Sequence, residues 1–257
     1  MRGKMETKKV SLLNAEYTCV TSDQLLSQVM DVLEHPAKDK KSTMIFLNVD
    51  VVMKIEKDPY LGKIVQEADY VLADGMPLIW FSKLFGKPLP EKISGSDFVP
   101  RLCAQAARAG KSVFLLGGAE GVAERAADKL RQLYPGIPVA GTYSPPFGFE
   151  KKEEELKRTI EKIKEAAPDI LIACLGCPKQ EKFIYENRER YGAALSVCAG
   201  ATIDFLAGNV KRCPKWMSSC GLEWFYRFLK EPGRLFRRYF IDDVQILGLL
   251  WKYRKKG

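Results

Sequence analysis

Asp74 stands where an apolar run, "YVLA", gives way to glycine, and "MPLIW" resumes directly after Gly75. A carboxylate at such a junction has two uses. It can take a proton from an incoming hydroxyl, with Gly75 leaving room beside it, or it can cap the helix that follows. Comparable positions recur along the chain. Asn48 follows "MIFL", Gly117 and Gly118 follow "VFLL", and Thr142 and Tyr143 follow "VAG". Gly176 and Gln180 follow "ILIACL", and Gly200 and Asp204 follow "LSVCA". Turn geometry or capping explains any one of them alone. "LLGGAEGVAE" is more pointed, because two glycines end a strand and Gly121 opens a helix whose unpaired N–H groups suit a phosphate. The spacing is not G-x-G-x-x-G and no ribose-binding acid follows, so a nucleoside diphosphate fits this loop as well as a dinucleotide does.

The elements that must position these groups alternate in type. "TSDQLLSQVMDVLEH" has cap residues Thr21 and Ser22 and helical spacing at Leu25, Val29 and Val32. "MIFLNV" is a strand, and "DVVMKIEKDPYLGKIVQEA" is helical with a break near Pro59. Strands are further predicted at "YVLAD", "SVFLLGG", "IPVAGTY", "DILIACLG" and "ALSVCAGA", with helices at "SDFVPRLCAQAARAG", "GVAERAADKLRQLYP", "EKKEEELKRTIEKIKEAAP" and "PKQEKFIYENRERYG". This alternation implies an α/β fold, a Rossmann-like, mostly parallel sheet with helices on both faces. In such folds ligands bind at the carboxyl ends of the strands, where the groups above stand.

Composition narrows the classes. The 257 residues are 46% hydrophobic and 28% charged, ordinary for a chain with a large core. No apolar stretch is long enough to span a membrane, and the N-terminus lacks the apolar region of a signal peptide. Seven scattered cysteines point to reduced thiols in the cytosol, although Cys174 and Cys177 form one C-x-x-C that leaves open a redox or zinc reading. The single histidine, His35, excludes histidine triads and His-rich metal sites. The chain contains no D-x-D, so the sequence calls for no metal and no cofactor.

The net charge of +9 is concentrated at one end. Residues 210–257 hold 12 Lys or Arg against 4 Asp or Glu. We therefore divide the chain into a catalytic domain, 1–209, and a basic C-terminal appendage, 210–257. If Leu235 to Tyr253 forms one helix, Phe236, Phe240, Val244, Leu247 and Trp251 share a face opposite Arg237, Arg238, Gln245 and Lys252. A basic amphipathic helix with aromatic anchors suits a membrane interface. Basic-aromatic stretches also bind nucleic acid, and such a helix can simply pack on the core.

"LNVDVVMK", "ADGMPLIW", "SGSDFVPRL", "FLLGGAEGVAE", "CLGCPKQEKFI", "IDFLAGNVKRCPKWM" and "GLEWFYRFLKEPGRLFRRY" occur in an order and spacing that resemble the WecG/TagA/CpsF glycosyltransferases, from about Thr43 to Tyr239. The resemblance implies an inverting enzyme moving an N-acetylmannosamine-type sugar from a UDP donor to a polyprenyl-diphosphate-linked sugar, in teichoic acid or exopolysaccharide synthesis. It implies a peripheral protein on the inner face of a bacterial membrane, with the tail on anionic lipid rather than nucleic acid. Asp74 matches the position of the base, and Gln180 an active-site position. Asn48, Gly75, Gly117, Gly118 and Lys179 become candidates for the donor, Asp204 for uridine, and Tyr143 or Phe147 for a stack on uracil. Asp97 is a substrate contact or a helix cap. Arg212, Arg227, Arg234, Arg237 and Arg238 are candidates for diphosphate or lipid. Two departures stand out: Phe46 and Leu47 precede Asn48 where the family often has a Thr-containing pair, and Lys92 replaces an arginine. Self-association could hide the apolar tail in a homo-oligomer. The rival functions are a nucleotide-binding oxidoreductase and a non-enzymatic basic adaptor for membrane or RNA.

Overall fold

Apolar runs such as "MIFL" and "ILIAC" need cover on both faces, and the computed structural model shows how they obtain it. It describes residues 8–35, 41–210, 213–214, 217, 222–230, 232–237 and 243–254. Strands β3 (Ser42–Leu47), β4 (Tyr70–Ala73), β5 (Val113–Gly117), β6 (Val139–Tyr143), β7 (Ile170–Cys174) and β8 (Leu195–Cys198) form a six-stranded sheet in the order β4-β3-β8-β7-β5-β6. Every pairing in it is parallel. Alternate side chains go to opposite faces. Ile45, Leu47, Val71, Leu116, Leu171 and Ala173 enter one core, under helices α2 (Val49–Lys57), α3 (Pro59–Gln66), α4 (Met76–Leu84), α7 (Glu153–Ala166) and α8 (Lys179–Tyr191). Met44, Leu72, Leu115, Ile172 and Val197 enter the other, under α1 (Ser22–Glu34), α5 (Gly95–Arg108), α6 (Val122–Leu133) and α9 (Thr202–Leu206). The expected α/β architecture is therefore present.

Local signals set the boundaries. Thr21 and Gln24 form a reciprocal capping box at α1. The break near Pro59 is made by Asp58, whose carboxylate accepts from the Tyr60 and Leu61 N–H groups as Pro59 opens α3. One element was not anticipated: a hairpin of β1 (Lys9–Leu12) and β2 (Ala15–Thr18), turning through Leu13 at φ 55°. Thr18 Oγ1 ties it to the sheet by accepting from the Val71 N–H at 3.0 Å.

Beyond Val210 lie α10 (Glu223–Lys230), α11 (Pro232–Arg237), a 3₁₀ turn at Asp243–Gln245 and α12 (Ile246–Arg254). Of the stretch 235–253 considered as one helix, the described residues lie in α11, the 3₁₀ turn and α12, and residues 238–242 with Phe240 fall outside them. Ile246 and Leu249 are buried in the first core, so α12 docks on the sheet domain, with Lys252 paired to Glu56 of α2. No helix among the described residues is long and apolar enough to cross a membrane.

Candidate active site

Because all six strands run the same way, the groups that follow them collect along one edge. Asp74 extends the β3–β4 ladder by one rung, its N–H donating to the Leu47 carbonyl at 2.7 Å. Gly75 then turns at φ 132°, a conformation that suits glycine, and itself takes the N-cap position of α4. Asp74 thus precedes the cap rather than forming it. The Ile93 N–H donates to the Ala73 carbonyl at 2.9 Å, which draws the start of α5 to the same place. There Asp97 accepts from Ser94 Oγ at 2.6 Å and lies 3.6 Å from Lys92 Nζ. Lys92 is also 3.4 Å from Glu223, linking α10 to this edge. These contacts hold the Asp97 carboxylate in the first turn of α5. Asn48 likewise caps α2, its Oδ1 accepting from the Val51 N–H at 3.1 Å.

The chain reverses direction across the sheet between β5 and β7. From β5 it moves outward to β6, with α6 on one face; from β7 it moves inward to β8, with α8 on the other. Crevices of this kind receive nucleotides in doubly wound sheets. Gly117 and Gly118 line it. A Cβ at Gly117 would lie 2.3 Å from the Cys174 carbonyl oxygen, and φ is +113° there, so the close approach of β5 to β7 depends on glycine. Ser144 Oγ lies 3.1 Å from both the Gly117 and Ala119 carbonyl oxygens and fixes the loop from outside. The helices that begin at this edge turn their unpaired N–H groups towards it, a favourable field for an anion.

Gln180 opens α8 and is buried. Its Oε1 accepts from the Gly200 N–H at 3.2 Å and its Nε2 donates to Glu181 Oε1 at 2.8 Å. It therefore clamps the β7 loop to the β8 loop. Glu181 is only 1% exposed and its Oε2 has no hydrogen-bond partner. Burial pushes its carboxyl above the usual range, which favours the neutral form. The sequence reading missed Glu181, although its place in "PKQE" on the buried stripe of α8 marked it. Lys179 points the other way, 3.3 Å from Glu150 and over the exposed Phe147 ring at 4.2 Å. Tyr143 packs against the core with Lys162 Nζ 5.0 Å from its ring centre. Asp204 lies in the first turn of α9, 3.4 Å from Asn209 Nδ2.

The C-x-x-C does not make a reactive pair. Burial pushes the Cys174 thiol up to about 12 and raises that of Cys177, whereas redox and zinc sites need accessible thiolates. No cluster of three His, Cys, Asp or Glu suited to a metal occurs among the described residues.

The family is shown by comparison with known proteins. The model of the "Glycosyl transferase WecG/TagA/CpsF family" matches residues 10–257. The chain belongs to that family. It is 32% identical over 232 residues to an N-acetylglucosaminyldiphosphoundecaprenol N-acetyl-beta-D-mannosaminyltransferase of Bacillus spizizenii, covering 90% of this chain and 86% of the relative. A Bacillus subtilis protein of the same name is 30% identical over 233 residues, covering 90% and 89%. Membership in a glycosyltransferase family disfavours the oxidoreductase and adaptor readings.

Within this family member, Asn48, Asp74, Gly75, Asp97, Gly117, Gly118, Tyr143, Lys179, Gln180 and Asp204 all lie in or beside loops at the carboxyl edge. Of the basic tail, Arg212 and Arg238 fall outside the described residues, and Arg227, Arg234 and Arg237 are placed only as positions on α10 and α11. A groove of about 700 Å³ between α1 and α5, holding the Arg101–Asp23 pair, contains none of the candidate residues.

Proposed function

We propose that this chain transfers an N-acetylmannosamine-type sugar from a UDP donor to an N-acetylglucosaminyl diphosphopolyprenol, with inversion and without a metal. UDP occupies the crevice between β5 and β7. There the Gly117–Gly118 backbone and the nearby helix N-termini meet the diphosphate, and Asp204 meets the uridine. The acceptor hydroxyl approaches Asp74. As its oxygen forms a bond to the sugar C1, the bond from C1 to UDP breaks, the hydroxyl proton passes to the Asp74 carboxylate, and UDP leaves with the bonding electrons. A placed base of this kind contributes on the order of 10²–10⁴ in rate. Gln180 and Glu181 hold the loops that frame the crevice. Residues 210–257 act as a membrane appendage, whose arginines serve lipid or diphosphate.

The observation that carries this reading is the position of Asp74. It stands one rung past β4, outside the cap position of α4, on the edge shared with the glycine crevice. The test is release of UDP from UDP-N-acetylmannosamine with a synthetic lipid-diphosphate N-acetylglucosamine acceptor. Asp74→Asn should lower turnover by about 10²-fold or more, with UDP binding and melting temperature retained. Undiminished turnover overturns Asp74 as the base, and a product whose anomeric configuration matches the donor overturns inversion.

A further inference from the structure

Helix α4 leaves the site directly after Gly75, and its two sides differ. Leu78, Ile79 and Ser82 are buried, and Phe81 and Phe85 pack against the core beneath. The opposite side carries Trp80 and Leu84, one helical turn apart and 50% and 73% exposed, with Lys83 between them. Met76, half-buried, begins this stripe next to the Asp74–Gly75 turn, and exposed Lys87 follows the helix just after the turn at Gly86. From Met76 to Pro90 there are two lysines and no acid.

We propose that this face of α4 is a membrane-contact surface that seats Trp80 and Leu84 among the headgroups of an anionic bilayer. Three features select a bilayer over a protein partner. Tryptophan prefers the interface, where its ring is in apolar surroundings and its N–H stays wet. Lys83 and Lys87 accompany the apolar residues with charge that anionic lipid neutralises and that no acid of Met76–Pro90 opposes. The stripe also starts beside the carboxylate proposed to meet a lipid-borne acceptor, so seating it would bring the reacting edge to the depth of the acceptor's diphosphate. This last point rests on the function proposed above; the first two do not.

The full chain should be sedimented with vesicles containing phosphatidylglycerol and with neutral phosphatidylcholine vesicles. Trp80→Ser with Leu84→Ser should weaken partition into the anionic vesicles at least about tenfold, and Lys83→Gln with Lys87→Gln by roughly fivefold per lysine, this second loss fading at high salt. Brominated lipid should quench wild-type tryptophan emission measurably more than that of Trp80→Phe, a conservative variant that keeps the fold. Unchanged partition, or equal quenching, overturns the proposal. So does light scattering in which the Trp80→Ser, Leu84→Ser protein loses an oligomer while its vesicle binding stays intact, because the face then covers a second copy of the chain. Transfer to an acceptor held in vesicles should fall with partition, whereas transfer to a water-soluble short-chain acceptor should not. If the wild-type chain transferred to neither acceptor, the proposed reaction would fail and the vesicle measurements would still decide the surface.

Discussion

The carboxyl edge of the sheet and the helices after Val210 use the same residue types in opposite ways. At the edge, apolar side chains are packed inside, and the polar groups are fixed by short backbone bonds, as Asp74 is to Leu47 and Gly200 to Gln180. In the later helices Trp224, Phe225, Leu229, Phe236 and Trp251 face outwards, and the charge beside them is mainly Lys and Arg. Acids show the same contrast. Glu181 at the edge is buried with one oxygen unpartnered, while Glu56, where α12 docks, is paired with Lys252. A region that performs chemistry must hold its groups in place before substrate arrives, and close packing does so. A region that meets a surface can leave apolar area open until the surface supplies the other half.

Glycine substitution probes this difference most severely. At Gly117 an alanine must bring its Cβ within 2.3 Å of the Cys174 carbonyl oxygen and hold φ at +113°. We expect Gly117→Ala to cost about 3 kcal/mol or more, seen as a melting temperature lower by several degrees, with loss of UDP binding. A melting temperature within a degree of wild type would mean that β5 and β7 do not approach so closely. Leucine truncation sharpens the boundary between the regions. Leu249→Ala should cost about 2 kcal/mol or more, because it empties a site in the first core, while Trp251→Ala should stay within about 0.5 kcal/mol. Equal, small effects in urea unfolding would separate α12 from the sheet domain.

Much of the sheet was legible because period and chain direction act locally. Apolar runs of four to six residues marked β3 to β8, Thr21 and Pro59 marked helix starts, and the rule for parallel sheets then put Asp74, Gly117 and Gln180 on one edge without further information. What escaped depends on distant partners. The β1–β2 hairpin is held by a bond from Val71 to Thr18, 53 positions apart. The role of Gln180 depends on Gly200, and the burial of Glu181 on elements that close over α8. The tail also depends on partners that the sequence does not name. Its apolar residues suggest one stripe on paper, and Ile246 and Leu249, which lie off that stripe, turn inwards against the first core. Periodicity registers a face; it does not say what the face meets.

The two carboxylates also predict opposite responses to pH. Burial raises Glu181 in the folded state, so the stability linked to it is full below its ordinary value near 4.5 and is lost as pH rises through the raised value. Glu181→Gln, which stays neutral, should therefore melt higher than wild type at pH 8 and coincide with it at pH 4. A constant difference across that range would mean that burial does not raise Glu181.

Glu56 runs the other way, with a smaller expected effect. Its hydrogen bond from Lys252 lowers it, so its contribution is present above the ordinary value near 4.5 and is lost as pH falls through the lowered one. The bond to Glu56 raises Lys252, whose contribution is present below its ordinary 10.5 and is lost as pH climbs through the raised value. The attachment of α12 should accordingly be firmest between those limits and loosen in acid first, since only that side is reached under ordinary conditions. Both groups are partly exposed, so water and salt screen the pair and the effect should appear as local opening rather than global unfolding. Amide hydrogen exchange along Ile246–Arg254, corrected for its intrinsic pH dependence, should lose protection below pH 4 in wild type and be nearly independent of pH in Glu56→Gln. Equal acid sensitivity in both proteins would assign the docking to Ile246 and Leu249 alone. The charge pair would then belong to the exposed surface, and the boundary between the two regions would run through α12 itself.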